Sequence, residues 1–207
     1  MSEGKKIIFA TGNEGKMQEI RSIMADLGIS VVSMKEAGIS VEIDENGTTF
    51  EENAVIKARA VAAAAEPGSI VLADDSGLEI DALNREPGVY SARYMGEDTP
   101  YSEKNADLIH RLNGVPWERR TARFVCAIAA VLPDGSEHTV RGTVEGWIGY
   151  EQRGDGGFGY DPIFCVPEFG KTMAEMPAGE KNRISHRGKA LELMKEVLKG
   201  NESFGRQ

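Results

Sequence analysis

The run Ile7-Ile8-Phe9-Ala10 passes through Thr11-Gly12-Asn13-Glu14-Gly15-Lys16 into Met17, Ile20, Ile23, Met24 and Leu27 at helical spacing, and this restricts the fold more than any other feature. Four consecutive apolar residues suit a strand buried on both faces. Apolar residues three and four apart suit a helix with one buried stripe, which Gly28 ends. Strand, turn and helix then recur. After the weak strand Val31-Val32-Ser33, Thr49 and Glu52 form a capping box, and an Ala-rich helix runs to about Ala65. Pro67-Gly68 stops it, and Ser69 to Ala73 reads as a second buried strand that delivers Asp74-Asp75-Ser76-Gly77 at its terminus.

Further on, Ser102 to Leu112 is helical. Thr121 to Leu132 and Glu137 to Ile148 are long strands joined by the turn Pro133-Asp134-Gly135-Ser136. A closing helix carries Ala190, Leu191, Met194, Val197 and Leu198 on one face. The alternation predicts an α/β fold with a mixed, twisted central sheet and flanking helices.

With 41% hydrophobic residues, a chain of 207 buries a core without disulfides. One domain spanning 1–207 is expected, without repeat or linker. Cys126 and Cys165 sit in apolar surroundings and read as small packed hydrophobes. No apolar run approaches the roughly 20 residues of a membrane helix, and Met1 to Lys6 shows no signal-peptide pattern, so a cytoplasmic protein without a membrane partner is expected. A net charge of -9 without a basic block argues against a nucleic-acid polymer as partner and leaves room for a small anion in a local cationic pocket.

Four constellations carry chemistry. Thr11 to Lys16, between strand and helix, offers backbone N–H groups and the positive end of a helix dipole to an anion, with Asn13 as N-cap. Lys16 in the first helical turn is unfavourable unless a phosphate compensates it; the plain alternative is a solvated lysine. In Asp74-Asp75, neighbouring strand residues face opposite ways, so one carboxylate enters a site and the other supports it, and periodicity leaves open which. A turn is the structural alternative there, against which Asp44-Glu45 upstream favours a Mg²⁺ site of oxygen ligands. The loop Gly154 to Pro162 lets backbone approach a ligand, and Phe158 and Tyr160 offer faces to a base, unless they cap the core. In Glu180 to Gly188, Ser185 caps the closing helix, and His186 and Arg187 bring cationic donors to its first turn.

Thr-Gly-Asn-x-x-Lys, Asp-Asp-Ser-Gly-Leu, Pro87-Gly88-Val89-Tyr90-Ser91-Ala92-Arg93-Tyr94, Gly-Gly-Phe-Gly-Tyr-Asp-Pro and Ser-His-Arg-Gly-Lys-Ala-Leu, in this order from Ile7 to about Leu198, closely resemble the inosine/xanthosine triphosphate pyrophosphatase family. The resemblance implies an elongated two-lobed domain with a substrate cleft between the lobes and usually a homodimer. It implies Mg²⁺-dependent hydrolysis of ITP, dITP and XTP to the monophosphate and pyrophosphate, clearing deaminated purines from the nucleotide pool. By position, Asp75 matches the catalytic acid, which also contacts the metal, and Glu45 matches the second metal carboxylate, with Asp44 as the nearby alternative. Thr11, Gly12, Asn13, Glu14, Gly15, Lys16, Ser76, Phe158, Gly159, Tyr160, Asp161, Lys181, His186 and Arg187 fall on substrate-binding positions. Asp75 is then expected to take a proton from attacking water while Lys16 and Lys181 neutralise phosphate charge, and His186 and Arg187 to read the 6-keto oxygen. Relatives commonly carry a glycine pair where this chain has Asn84-Arg85-Glu86, which leaves that loop's conformation open. A noncatalytic nucleotide binder, a Maf-like pyrophosphatase and a phosphatase releasing orthophosphate are the rival readings.

Overall fold

The computed structural model describes residues 6–201; residues 1–5, part of the stretch read above for a leader, lie outside it, as do 202–207. Strand β1 (Lys6–Phe9) leads into helix α1 (Glu14–Met24), strand β2 (Ser30–Ser33), helix α2 (Phe50–Ala64) and strand β3 (Ile70–Ile80). The short β4 (Glu86–Pro87), helix α3 (Tyr101–Arg111) and the long strands β5 (Thr121–Val131) and β6 (Glu137–Ile148) follow. The chain closes with β7 (Phe164–Val166), β8 (Lys171–Thr172), α4 (Ala178–Ile184) and α5 (His186–Gly200). The strands make one mixed sheet in the order β2-β1-β3-β5-β6-β7-β8, with β4 paired to β3. β1 runs parallel to β2 and β3, whereas β7 is antiparallel to β6 and β8. No helix among the described residues is long and apolar enough to cross a membrane.

The expected end of β3 needs correction. The strand does not end at Ala73 but runs through Asp74 to Gly77, all four inside its eleven residues, so the alternative of a turn there is not taken. Past the carboxylates, Leu78 and Ile80 are fully buried, Leu78 N–H donates to Ser91 Oγ at 2.9 Å, and Glu79 and Ile80 pair with β4. These later contacts hold extended a sequence that favours turns in isolation.

The chain divides into two compact units. The first takes in the chain through Asp75, then Cys126–Gly142, then the chain from Arg187 onward. Its core joins Ile7, Phe9, Ile70, Leu72 and Ile128 of the strands to Met17, Ile20 and Met24 of α1 and to Leu191, Met194 and Leu198 of α5. Cys126 belongs to this core, and burial pushes its thiol up to about 12. The buried stripe of α2 is Phe50, Asn53, Ala54, Lys57, Ala58 and Val61, a helical period in which two positions are polar.

The second unit comprises Ser76–Val125 and Thr143–His186. Leu78, Leu108, Phe124, Ile163, Phe164 and Met173 build its core, with the Phe124 and Phe164 rings stacked at 4.3 Å. Arg120 is buried there and donates to the carbonyls of Leu112, Ile148 and Gly149 at 2.7–2.8 Å, so its guanidinium is held by backbone oxygens.

Candidate active site

In the first unit the turn after β1 is built by its own side chains. Asn13 N–H donates to Thr11 Oγ1 at 3.1 Å, and Asn13 Oδ1 caps α1 by accepting from Lys16 N–H at 3.0 Å. Such a cap is worth about 1 kcal/mol. Gly12, Asn13 and Glu14 are exposed, so the positive end of α1 is open to solvent. Lys16 does not reach outward: its ammonium lies 3.0 Å from Asp74.

Strand alternation separates the two carboxylates. Asp74 continues the register of Ile70 and Leu72, which face α1 and α5, while Asp75 continues that of Val71 and Ala73. Asp74 is 1% exposed and meets Lys16 together with Arg187, whose Nη2 lies 3.4 Å away. Burial alone would raise its carboxyl, but Lys16, Arg187 and Lys57 outweigh that and hold it well below the usual carboxylate range. Arg187 also contacts Glu19 and is itself buried, so its guanidinium supports Asp74 from α5 rather than projecting into solvent.

Asp75, 8% exposed, faces α2. Asn53 Nδ2 donates to its Oδ2 at 3.1 Å, and Lys57 Nζ lies 3.4 Å from its Oδ1. The same ammonium lies 2.9 Å from Glu45, whereas Asp44 is exposed and bonded to Asn46. Of the two upstream acids, Glu45 therefore stands beside Asp75's partner. Burial raises the Asp75 carboxyl above its ordinary value, against the pull of Lys57 and Asn53. Asn53 is itself fixed: its Oδ1 accepts from Gly47 N–H at 2.8 Å, and a Cβ on Gly47 would lie 2.6 Å from that oxygen.

The second unit holds the other residues read from the sequence. Asp161 Oδ2 accepts from Phe158 N–H at 2.8 Å and from Lys181 Nζ at 2.7 Å, closing the glycine-rich loop on α4. A Cβ on Gly157, whose φ is +67°, would lie 2.2 Å from that same oxygen. Phe158 is half-buried with the Lys181 ammonium 5.0 Å from its ring centre, and His186 stacks on Phe124 at 4.8 Å. Tyr160 departs from expectation. It is 4% exposed, its hydroxyl donates to Ser91 C=O at 2.6 Å, and Tyr101 meets its ring edge-on at 5.1 Å. It is a core residue whose polar tip is satisfied, which leaves Phe158 as the loop's accessible face. Lys181, expected at the phosphates, has its charge matched by Asp161, and Gly159 C=O is held by Asn105 Nδ2 at 3.2 Å. Ser76 is half-buried in β3.

Within the first unit the structure thus gathers Lys16, Glu45, Asp74, Asp75 and Arg187, and within the second Phe158, Gly159, Asp161 and Lys181. Sequence reading missed Asn53 and Lys57. Their signal was present: both fall on the apolar stripe of a capped helix, where an uncompensated amide or ammonium is costly to bury.

The Ham1 family profile matches residues 7–197. A dITP/XTP pyrophosphatase of Exiguobacterium sibiricum is 50% identical over 193 residues, 93% of this chain and 96% of that protein. A dITP/XTP pyrophosphatase of Bacillus subtilis is 50% identical over 194 residues, 94% of this chain and 97% of that protein. The solved Ham1 protein of Staphylococcus aureus matches with a TM-score of 0.83 at 42% identity, covering 95% of this chain and 99% of that one.

Proposed function

This chain belongs to the Ham1 family, and from that premise we propose that it hydrolyses the non-standard purine triphosphates ITP, dITP and XTP to the monophosphate and pyrophosphate, with Mg²⁺ as cofactor. A homodimer working in the cytoplasm belongs to the same reading and rests on the family resemblance. One observation carries the chemistry: Asp75 and Glu45, from distant parts of the chain, converge on a single cationic point at 3.4 and 2.9 Å.

That convergence is also the test of fit for a metal. Two carboxylates already share one positive charge, and their oxygens suit a hard cation. A small divalent ion is commonly held by one or two carboxylates and completes its shell with water and phosphate oxygens. Glu45 and Asp75 would hold it. Bound there, Mg²⁺ supplies positive charge to the phosphate oxygens and to the leaving pyrophosphate.

The chain's own groups do the rest. Asp75, its carboxyl raised by burial, accepts a proton from the water that adds to the α-phosphorus as the bond to the β-phosphate oxygen breaks. Asn53 aims that carboxylate. The start of α1, where Gly12, Asn13 and Glu14 are exposed, receives phosphate oxygens, and the Lys16 ammonium, held by Asp74 beside Arg187, adds positive charge behind it. Phe158, braced by Lys181 and Asp161, stacks the purine, and His186 donates to the 6-keto oxygen. An amino group at that position would face a donor and be rejected.

The test is product analysis with ITP and Mg²⁺. Pyrophosphate and IMP are expected from the unmodified protein, and Asp75→Asn is expected to lose nearly all turnover while still binding the nucleotide. Orthophosphate as the first product would overturn the mechanism. Turnover of modified pyrimidine triphosphates with none of ITP would overturn the substrate class.

A further inference from the structure

We infer that Lys57 is the resident counter-ion of the divalent-cation seat, and that its ammonium must leave before a metal enters. The inference rests on the reading of Glu45 and Asp75 as metal ligands and goes beyond it. Lys57 Nζ lies 2.9 Å from Glu45 Oε2 and 3.4 Å from Asp75 Oδ1, the two atoms assigned to the ion. It rises from the buried stripe of α2 one turn beyond Asn53, which holds the other oxygen of Asp75. The ammonium is therefore seated by the helix, not by a chance surface encounter.

Charge balance gives the consequence. Glu45, Asp75 and Lys57 sum to a single net negative charge, and the neighbouring Asp74 is already matched by Lys16 and Arg187, so little is left to attract a hydrated divalent ion strongly. A cation bound beside an unmoved Lys57 would meet a like charge at near contact distance, on the side of the seat where Lys57 and Asp75 are buried and water screens repulsion weakly. A bare metal ion must thus evict Lys57 and leave a buried ammonium without its carboxylates. A metal already carrying a triphosphate brings the anion that the evicted ammonium needs. Lys57 in this way makes the seat selective for the metal–nucleotide complex over the free ion, and sets the cation concentration at which the protein alone fills.

The test measures metal, not turnover. Mn²⁺, a spin-active replacement for Mg²⁺, is titrated into the nucleotide-free protein, and free Mn²⁺ is followed by electron paramagnetic resonance. Lys57→Met is expected to bind Mn²⁺ at least about tenfold more tightly than the unmodified protein, with Lys57→Gln as the second variant should Met impair folding. Lys57→Arg, which keeps the charge, is expected to show no such gain. Equal or weaker binding by Met and Gln variants that fold overturns the inference. Adding Glu45→Gln separates the two ideas. If it abolishes the binding while Lys57→Met brings no gain, the seat stands and the counter-ion role fails. If Glu45→Gln leaves Mn²⁺ affinity unchanged in both backgrounds, the seat itself is elsewhere and the proposed ligand set fails with it.

Discussion

Asn84 and Arg85 adopt φ values of +53° and +66°, the left-handed region that side chains with a Cβ enter at a cost of roughly 1–2 kcal/mol. They stand where relatives commonly carry a glycine pair, and the loop takes a left-handed path that places strain on these side chains. Arg85 is exposed, so removing its side chain sacrifices little packing. Arg85→Gly is expected to stabilise the protein by about 0.5–1 kcal/mol after the added flexibility of the unfolded chain is counted, which raises Tm by roughly 1–4 °C in a chain this size. Differential scanning calorimetry reads it directly, and a lower Tm would contradict the strain. A second residue-scale outcome concerns Asp75. Burial raises its carboxyl and the Asn53 donor lowers it, so Asn53→Leu is expected to raise it further. Because the proposed base works as the carboxylate, the acid limb of the activity profile should move to higher pH. A group raised on folding stabilises most below its unfolded value and loses that contribution as pH climbs through the folded one. Asp75 thus favours the folded state in acid, opposite to Asp74, whose lowered carboxyl stabilises above the ordinary value of 3.8 and ceases to as pH falls.

Among the elements, those with local signals were legible. Thr49 and Glu52 do form the capping box of α2, Asn13 does cap α1, and β6 runs over the residues its pattern indicated. Each of these depends on residues within a few positions of one another. What sequence reading could not supply depends on distant partners. β3 continues past its carboxylates because Ser91 and β4 meet it beyond them, and Tyr160 turns inward because Ser91 C=O takes its hydroxyl. Lys57 carries a helix-stripe signal, yet only the fold reveals that Glu45 and Asp75 neutralise it. The placing of Phe158 likewise depends on α3, where Asn105 donates to Gly159 C=O at 3.2 Å and Tyr101 abuts Tyr160. Asn105→Ala is expected to loosen that loop, raising KM for ITP several-fold while kcat changes less than twofold. A fall in kcat alone in steady-state kinetics would show that α3 does not act through the stacking loop.

For the molecule as a whole, the division into units cuts across the order of the chain. The backbone passes from one to the other after Asp75, Val125, Gly142 and His186, so neither is a contiguous stretch. The first unit's core takes Leu191, Met194 and Leu198 from α5, whose burial contributes together roughly 5–9 kcal/mol. That is comparable to the whole stability of a typical domain, about 5–15 kcal/mol. A chain stopped after His186 is expected to bind 8-anilinonaphthalene-1-sulfonate and to lose cooperative thermal unfolding, whereas a sharp transition would show that this core closes without α5.

The discontinuity also matters during synthesis. β1, α1 and β2 leave the ribosome long before their last packing partner, and at about 5–20 residues per second the stretch from Ser76 to His186 takes roughly 5–20 s to make. Throughout that interval Ile7, Phe9, Met17 and Leu72 lack the helix that completes their burial, and Asp74 lacks Arg187. The nascent chain therefore presents an unfinished apolar face for seconds, a substrate for chaperones, and Asp74 gains its Arg187 partner only once α5 has emerged.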